Sequence, residues 1–271
     1  MELAKARAES DSPLTFAPES ALLAVSGVTL RFGGVTALDN VGFHVGQGVI
    51  CGLIGPNGAG KTTLFNCISR LYEPHAGSIR FDGLPLADVP RSSIAGLGIA
   101  RTFQNVALFA TMTTRDNVRV GAHALGRSGF FVNALSLAGR EERAIAERAD
   151  ALIEEFGLAA VADRPVAELP FGVRKRVELA RALAMGPKLL LLDEPAAGLN
   201  HEEVDALGDE IRAIRDRRGV SVLLVEHHMN LVMRTSDQVV ALDFGRVVAD
   251  GTPEEVRAHP DVIRAYLGGP R

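Results

Sequence analysis

The 271-residue chain has little cysteine, with only Cys51 and Cys67. A disulfide framework needs more cysteines than this, and two thiols in an intracellular protein are normally reduced. Cys51 lies in an apolar run and Cys67 in a predicted helix, so both are expected to be small residues of the core. The cysteine content therefore argues against a fold held together by disulfide bonds.

Long apolar runs and a basic excess are also missing. Runs such as residues 189–192 and 222–225 fall far short of the ~20 residues that cross a bilayer. The N-terminus has no apolar stretch typical of a signal peptide. The formal net charge of −4 argues against a nucleic-acid-binding protein. We expect a soluble cytoplasmic protein without a nucleic-acid partner, which only another subunit could hold at a membrane.

What the sequence does contain is an alternation of short apolar strands and amphipathic helices. Residues 49–54 form a run that is apolar on both faces, as in a buried strand of a parallel sheet. Similar strands are predicted at 188–192 and 220–225, and β-like residues precede them from 21 to 45. The pattern predicts an α/β fold with a mostly parallel sheet and an N-terminal antiparallel β region. The predicted helices are 62–70, 140–157, 173–184 and 202–217.

The same pattern suggests how the chain is divided. Residues 1–20 are polar and are expected to be a flexible leader. The main domain is predicted over 21–250, with an inserted α-helical subdomain at about 106–170 and a closing hairpin at 239–248. The remaining residues, 251–271, are predicted to be a short helical tail.

A glycine-rich loop directly follows the buried strand at 49–54. It has a glycine, four residues and then Gly-Lys-Thr, and it opens onto a predicted helix. Glycines let backbone N–H groups surround a phosphate, and the helix N-terminus favours anions. This pattern between a strand and a helix is rare by chance, so we predict a nucleotide-binding protein. The predicted phosphate-binding residues are Gly55, Pro56, Asn57, Gly58, Ala59, Gly60, Lys61, Thr62 and Thr63.

A second apolar strand ends in two acids, Asp193 and Glu194. In open α/β sheets, ligands bind at the carboxyl ends of the strands. Asp193 and the Thr62 hydroxyl are therefore candidates to hold Mg²⁺, and Glu194 is a candidate to orient or deprotonate an attacking water. Adjacent carboxylates at a strand end are also common as turn residues. A complete phosphate loop upstream favours the catalytic interpretation.

In this order, the motifs from about residue 21 onward resemble those of the ATPase subunits of ABC transporters, whose core is a P-loop NTPase fold. The phosphate loop matches Walker A, and residues 189–194 match Walker B with its catalytic glutamate. The resemblance implies ATP and Mg²⁺ as ligands. It also implies that two such subunits enclose two ATP molecules between them.

The resemblance assigns further roles that the residues alone do not. Gln104 matches the Q-loop glutamine, which senses Mg²⁺ and the attacking water, and His227 matches the switch histidine at the γ-phosphate. Phe32 matches the aromatic residue that stacks on adenine. Without the family, these would be a polar loop residue, a solvated turn histidine and a core phenylalanine. Residues 197–200 match the D-loop at the dimer interface, with Asn200 where many members have Asp.

The family signature, Leu-Ser-Gly-Gly-Gln, is altered in this chain. Only Leu169 and Gly172 match it, and Pro170 stands where the serine would contact the ATP of the opposite subunit. Proline offers neither a hydroxyl nor an N–H group. What remains for that ATP is Gly172 and the N-terminus of a helix predicted to start near Val173.

Residues 101–105, 194–200, 226–229 and 251–268 resemble the ATPases of branched-chain amino-acid importers. This implies two transmembrane permease subunits, a second ATPase subunit (an identical copy or a paralogue) and, indirectly, an external solute-binding protein. The protein would then act at the cytoplasmic face of the cell membrane.

Two alternatives stay open at this point. One is an importer of urea or short amides, or a lipid-handling system, because an ATPase subunit does not touch the solute. The other is an ABC ATPase of DNA repair or translation. Such proteins usually carry two cassettes or large insertions, whereas this chain has one cassette.

Overall fold

The computed structural model describes residues 21–102, 107–123 and 138–267, and the leader lies outside this range. Within it the strands form two sheets. The first is antiparallel, in the order β2-β1-β4-β5, and the second has the order β10-β9-β3-β8-β7-β6. The strands are β1 (Leu23–Phe32), β2 (Val35–Val45), β3 (Ile50–Ile54), β4 (Ala76–Phe81), β5 (Leu84–Pro85), β6 (Ile99–Arg101), β7 (Leu189–Asp193), β8 (Ser221–Val225), β9 (Gln238–Asp243) and β10 (Arg246–Gly251).

The second sheet is parallel except for its edge pair β9–β10. β3 lies between β8 and β9, and every residue of β3, β7 and β8 is buried. Because these strands are buried on both faces, their sequences are continuous apolar runs. The predicted α/β class, with its parallel core and antiparallel N-terminal region, is confirmed.

The helices cover one face of the parallel sheet, and the antiparallel sheet and α1 cover the other. Leu190 and Leu192 of β7 belong to a core shared with the helices, whereas Leu189 and Leu191 belong to the core beneath β1 and β2. This alternation follows from the two-residue period of a strand. The helices are α1 (Lys61–Ile68), α2 (Thr114–His123), α3 (Ala138–Glu155), α4 (Phe171–Ala184), α5 (His201–Arg218), α6 (Met229–Thr235), α7 (Pro253–Ala258) and α8 (Pro260–Leu267).

Some boundaries differ from the sequence prediction. α4 begins at Phe171, two residues earlier than expected, because the extended Pro170 precedes it as the N-cap. The tail is two helices because His259, before Pro260, is held in an extended conformation. The short strands β4, β5 and β6 were not predicted, since none is a long periodic run.

Both cysteines are buried free thiols, as expected. Burial raises the pKa of Cys51 well above its usual value and that of Cys67 to about 11. None of the helices in the described part of the chain is both long and apolar enough to cross a bilayer.

Candidate functional site

The glycine-rich loop joins the end of β3 to the start of α1. Gly55 and Gly60 have φ values of 152° and 105°, which residues with a Cβ rarely adopt. A Cβ on Gly55 would lie 2.3 Å from the carbonyl oxygen of Leu242. Gly60 is the N-cap of α1, so the first N–H groups of that helix are directed to the loop. The loop therefore has the backbone of an anion cradle.

Lys61 is buried beneath this loop. Its Nζ donates hydrogen bonds to the carbonyl oxygens of Gly55, at 2.6 Å, and Pro56, at 3.0 Å. An ammonium group has three N–H donors, so one remains for a phosphate. Burial lowers the pKa of Lys61, while the charges of Glu194 and Asp193 act to raise it. The structure thus brings together the two motifs that lie more than a hundred residues apart in sequence.

Asp193, the last residue of β7, is buried and bound to an arginine that the sequence interpretation overlooked. Arg101, at the end of the neighbouring strand β6, donates from Nη2 to Oδ2 of Asp193 at 2.9 Å. Its other terminal nitrogen donates to Oδ1 of Asn66 at 2.8 Å, and the guanidinium lies 5.5 Å from the centre of the Phe65 ring. Arg101 therefore fixes the Asp193 carboxylate relative to α1. The sequence offers one signal for Arg101, a positive charge at the end of a strand just before the predicted Q-loop.

Glu194 has an unusual backbone conformation, with φ of +48°. Its N–H donates to the carbonyl of Val225 at 2.9 Å, and Pro195 follows it. A non-glycine residue in this region costs of order 1–3 kcal/mol and is concentrated at functional sites.

A fully buried carboxylate, Glu226, organises the segment that carries His227. Its Oε1 accepts the N–H of Ala196 at 2.7 Å, and its Oε2 accepts those of His227 and His228 at 3.0 and 3.3 Å. The ligand atoms of Glu226, His227 and His228 lie within 4.8 Å of one another. Since both Glu226 oxygens already accept backbone N–H groups, this carboxylate acts as a structural support. The His227 side chain is half exposed beside it.

Phe32 is 46% exposed, which excludes the alternative of a core phenylalanine. Its ring meets that of Tyr72 edge to face, with centroids 5.2 Å apart. One end of β1 therefore presents an aromatic surface to solvent. Gln104, the remaining predicted catalytic residue, lies outside the described residues.

The altered signature forms the N-terminus of α4. The Leu169 side chain is buried in the helical core, so only its backbone is available to a ligand. A Cβ on Gly172 would lie 2.7 Å from Oε1 of Glu203, so a larger residue there would displace the Glu203 side chain. The first turn of α4 carries no acidic residue, so its N-terminus keeps its affinity for anions.

The D-loop is joined to the start of α5. Asn200 is the N-cap: its side chain accepts the N–H of Glu203 at 3.0 Å, and Oε2 of Glu203 accepts the N–H of Asn200 at 2.9 Å. A Cβ on Gly198 would lie 3.1 Å from the ring of Phe171. The signature and the D-loop are therefore packed against each other.

The donor set at the phosphate loop fits a magnesium ion. Thr62 offers a hydroxyl oxygen in the first turn of α1, and Asp193 offers a carboxylate held by Arg101. Oxygen atoms of this kind are the ligands that Mg²⁺ prefers. Among the described residues, Thr62 and Asp193 are thus the protein groups that would hold it.

Comparison with known proteins shows the family of this chain. The family model described as "ABC transporter" matches residues 38–197, and that described as "Branched-chain amino acid ATP-binding cassette transporter" matches residues 246–271. The chain therefore belongs to the ABC transporter family and is one of its ATP-binding, ATP-hydrolysing members.

Two relatives are similar over most of their length. The high-affinity branched-chain amino acid transport ATP-binding protein BraF of Pseudomonas aeruginosa is 45% identical over 249 residues, 91% of this chain and 98% of that protein. LivG of Escherichia coli K12, with the same description, is 42% identical over 249 residues, again 91% and 98%.

Solved structures show the same fold. The ADP conformation of MJ1267, an ATP-binding cassette of an ABC transporter, superposes with a TM-score of 0.80 at 28% identity, covering 92% of this chain and 99% of that one. The structure of cbiO1 from Clostridium perfringens, part of the ABC transporter complex cbiONQ, has a TM-score of 0.77 at 30% identity, with 90% and 94% covered.

Proposed function

We propose that this ATPase is the motor subunit of an importer of branched-chain amino acids. The observation that carries the catalytic part is the meeting of the two motifs, since Arg101 binds both Asp193 at the end of β7 and Asn66 of α1, the helix that begins at Lys61. A phosphate-binding lysine, a metal-binding carboxylate and a water-activating carboxylate are the groups that phosphoryl transfer to water needs.

The proposed roles combine the geometry of the described residues with the family resemblance. The loop from Gly55 to Thr63 encloses the phosphates, and the free donor of Lys61 is directed to them. Glu194 orients or deprotonates the attacking water, with His227 and Gln104 at the γ-phosphate. A bound Mg²⁺ neutralises phosphate charge. Phe32 offers its exposed ring to the adenine base.

The site is completed by a second subunit in this proposal. The N-terminus of α4, including the backbone of Leu169 and Gly172, faces the ATP held by the opposite ATPase, which is an identical copy or a paralogue. Two permease subunits hold the pair at the cytoplasmic face of the cell membrane, and an external binding protein delivers the solute. The match of residues 246–271 and the relatives at 42–45% identity support the choice of branched-chain amino acids.

The test uses the chain assembled with its permease subunits in liposomes. With the binding protein present, leucine is expected to stimulate both ATP hydrolysis and uptake. Glu194→Gln should bind ATP but lose at least about a hundredfold in turnover, the scale of general-base catalysis. Lys61→Ala should weaken ATP binding itself.

Two results would contradict the proposal in different ways. Normal turnover of the Glu194→Gln complex would remove Glu194 from the mechanism. Stimulation by urea or a lipid, but not by leucine, isoleucine or valine, would replace the solute and leave the motor intact.

A further inference from the structure

The C-terminal segment reaches the start of the phosphate loop. The hydroxyl oxygen of Tyr266, in α8, accepts the backbone N–H of Gly55 at 2.7 Å, across 211 residues of sequence. No part of the catalytic proposal uses this contact. It concerns the first residue of the loop, where the chain leaves β3.

The peptide groups of Gly55 are held from both sides. Its N–H is bound by Tyr266, and its carbonyl oxygen accepts the 2.6 Å hydrogen bond from Lys61. With a φ of 152° and the Leu242 carbonyl close by, Gly55 has a conformation that its surroundings must maintain. A hydrogen bond at this point therefore determines where the rest of the loop begins.

The packing of α7 and α8 keeps Tyr266 in place. Val256 of α7 and Val262 of α8 are buried in one cluster with Ile54, the residue before Gly55. α7 begins with a capping box in which the Thr252 side chain accepts the N–H of Glu255 and the Glu255 side chain accepts the N–H of Thr252. Both helices thus have a fixed position against the end of β3.

The neighbouring hairpin supports the same loop. The N–H of Gly245, in the turn between β9 and β10, donates to the carbonyl of Ala59 at 3.0 Å. The loop is therefore held at Gly55 and at Ala59 by residues that follow β8 in the chain. Removing the tail contact would release one of these two supports.

We infer that Tyr266 is a positioning residue for ATP binding: its hydroxyl oxygen, by accepting the Gly55 N–H, holds the phosphate loop in the conformation that receives the nucleotide. The inference rests on the nucleotide site proposed above. It gives the C-terminal segment a part in that site without contact with the ATP.

The first test compares ATP binding by full-length wild-type and Tyr266→Phe proteins. Phenylalanine keeps the aromatic ring and removes only the hydroxyl group that accepts the Gly55 N–H. We expect the dissociation constant and KM for ATP to rise about three- to thirtyfold, the effect of leaving a buried N–H without its partner. The turnover number should change less than twofold, because the catalytic carboxylates are untouched.

Arg264→Ala is the matched control, since it disturbs the exposed surface of the same helix and breaks only an ion pair with Asp261. It should bind ATP like the wild type. An unchanged KM in folded Tyr266→Phe would overturn the inference. Failure of the wild-type protein to bind ATP would instead reject the proposed nucleotide site.

A second measurement does not depend on the Tyr266→Phe variant folding. Hydrogen exchange of the wild-type protein without ATP reports on the Gly55 N–H, which Tyr266 accepts. We expect this N–H to exchange slowly, because the tail holds it before the nucleotide arrives. Rapid exchange at Gly55 would show that the tail does not hold the loop and would overturn the inference.

Discussion

At the scale of single residues, Glu194 combines its proposed catalytic role with a left-handed backbone conformation. In this turn the N–H of Glu194 donates to the carbonyl of Val225, and Pro195 follows. Asparagine tolerates this region better than glutamine does. This conformation therefore lowers the stability of the folded protein. The size of that cost should depend on which residue replaces Glu194.

We predict that Glu194→Asn is more stable than Glu194→Gln by about 0.5–1 kcal/mol, although both lack the carboxylate. Urea denaturation of the two variants measures the difference. At the exposed Glu147 in α3, the order should reverse, because glutamine is the better helix former. Equal stabilities at position 194 would mean that its backbone relaxes on substitution.

Glu210 of α5 makes stability depend on pH. Burial raises its pKa to about 7, with Glu155 adding to the rise and Arg176 opposing it. The folded protein therefore binds a proton between about pH 4.5 and 7 that the unfolded chain has released. Stability contributed by this proton is lost as the pH rises through 7.

Glu210→Gln is accordingly predicted to be the more stable protein at pH 8, by about 1–3 kcal/mol, since each pKa unit is worth about 1.4 kcal/mol. Thermal unfolding between pH 5 and 8 should show a flatter profile for this variant than for the wild type. Glu147→Gln, at an exposed site, serves as the control. A wild-type profile that is already flat would contradict the assignment.

At the scale of elements, the signature helix α4 and the helix α5 meet at the D-loop. Asn200 begins α5 through its reciprocal hydrogen bonds with Glu203, and Glu203 in turn lies against Gly172. Asparagine and aspartate are equivalent N-caps, which explains how Asn200 replaces the usual aspartate of the family.

Asn200→Ala should cost about 1 kcal/mol in unfolding free energy, because the cap is lost, whereas Asn200→Asp should be nearly neutral. Chemical denaturation of the pair tests this. The uncapped variant is also expected to hydrolyse ATP more slowly, since α5 supports Gly172. An alanine variant as stable as the aspartate variant would show that the box contributes nothing.

The elements that the sequence predicted well are those with strong periodic patterns. β3, β7 and β8 are continuous apolar runs, and the helical spacing of α3 ends at Gly157 with a φ of +61°. The three-residue β6 has too short a pattern to detect. It nevertheless places Arg101 on Asp193, so the support of the metal-binding carboxylate was missed with it.

Other parts of the site depend on contacts that no local pattern encodes. The sequence marks Tyr266 only as one residue of an amphipathic tail, and its bond to Gly55 appears when the chain is folded. The sequence allowed Phe32 to be either a core residue or a ligand-binding residue. Its exposure to solvent excludes the core. The roles of Gln104 and His227 rest on resemblance.

At the scale of the whole molecule, the altered signature would weaken the ATP-bound dimer that we propose. Pro170 is exposed at the N-terminus of α4 and carries no donor for the opposite ATP. Anion affinity at this end comes from the backbone N–H groups of the first turn alone. Two copies of this chain should therefore form a weaker ATP-bound pair than subunits with a serine at this position.

With hydrolysis blocked by Glu194→Gln, ATP should produce a dimer in size-exclusion chromatography. Adding Pro170→Ser should strengthen it about tenfold, as expected for a hydrogen bond to a charged group. Ala167→Ser adds a hydroxyl before α4 and should leave the strength of the dimer unchanged. The same column run with an ATPase paralogue tests a mixed pair. Absence of every dimer would refute the two-subunit site and leave the role of Glu194 intact.

The three hydrogen bonds to Glu226 have a mechanical consequence. One carboxylate joins Ala196, just before the D-loop, to the backbone of His227 and His228, so neither segment can be displaced without stretching a bond to the other. The segment before the D-loop and the backbone of the two histidines are thus held to each other through one side chain. A glutamine at this position would keep only one acceptor oxygen and turn an amide donor toward an N–H group. The two segments would then be held to each other less firmly, and the backbone of His227 would lose its fixed position relative to Ala196.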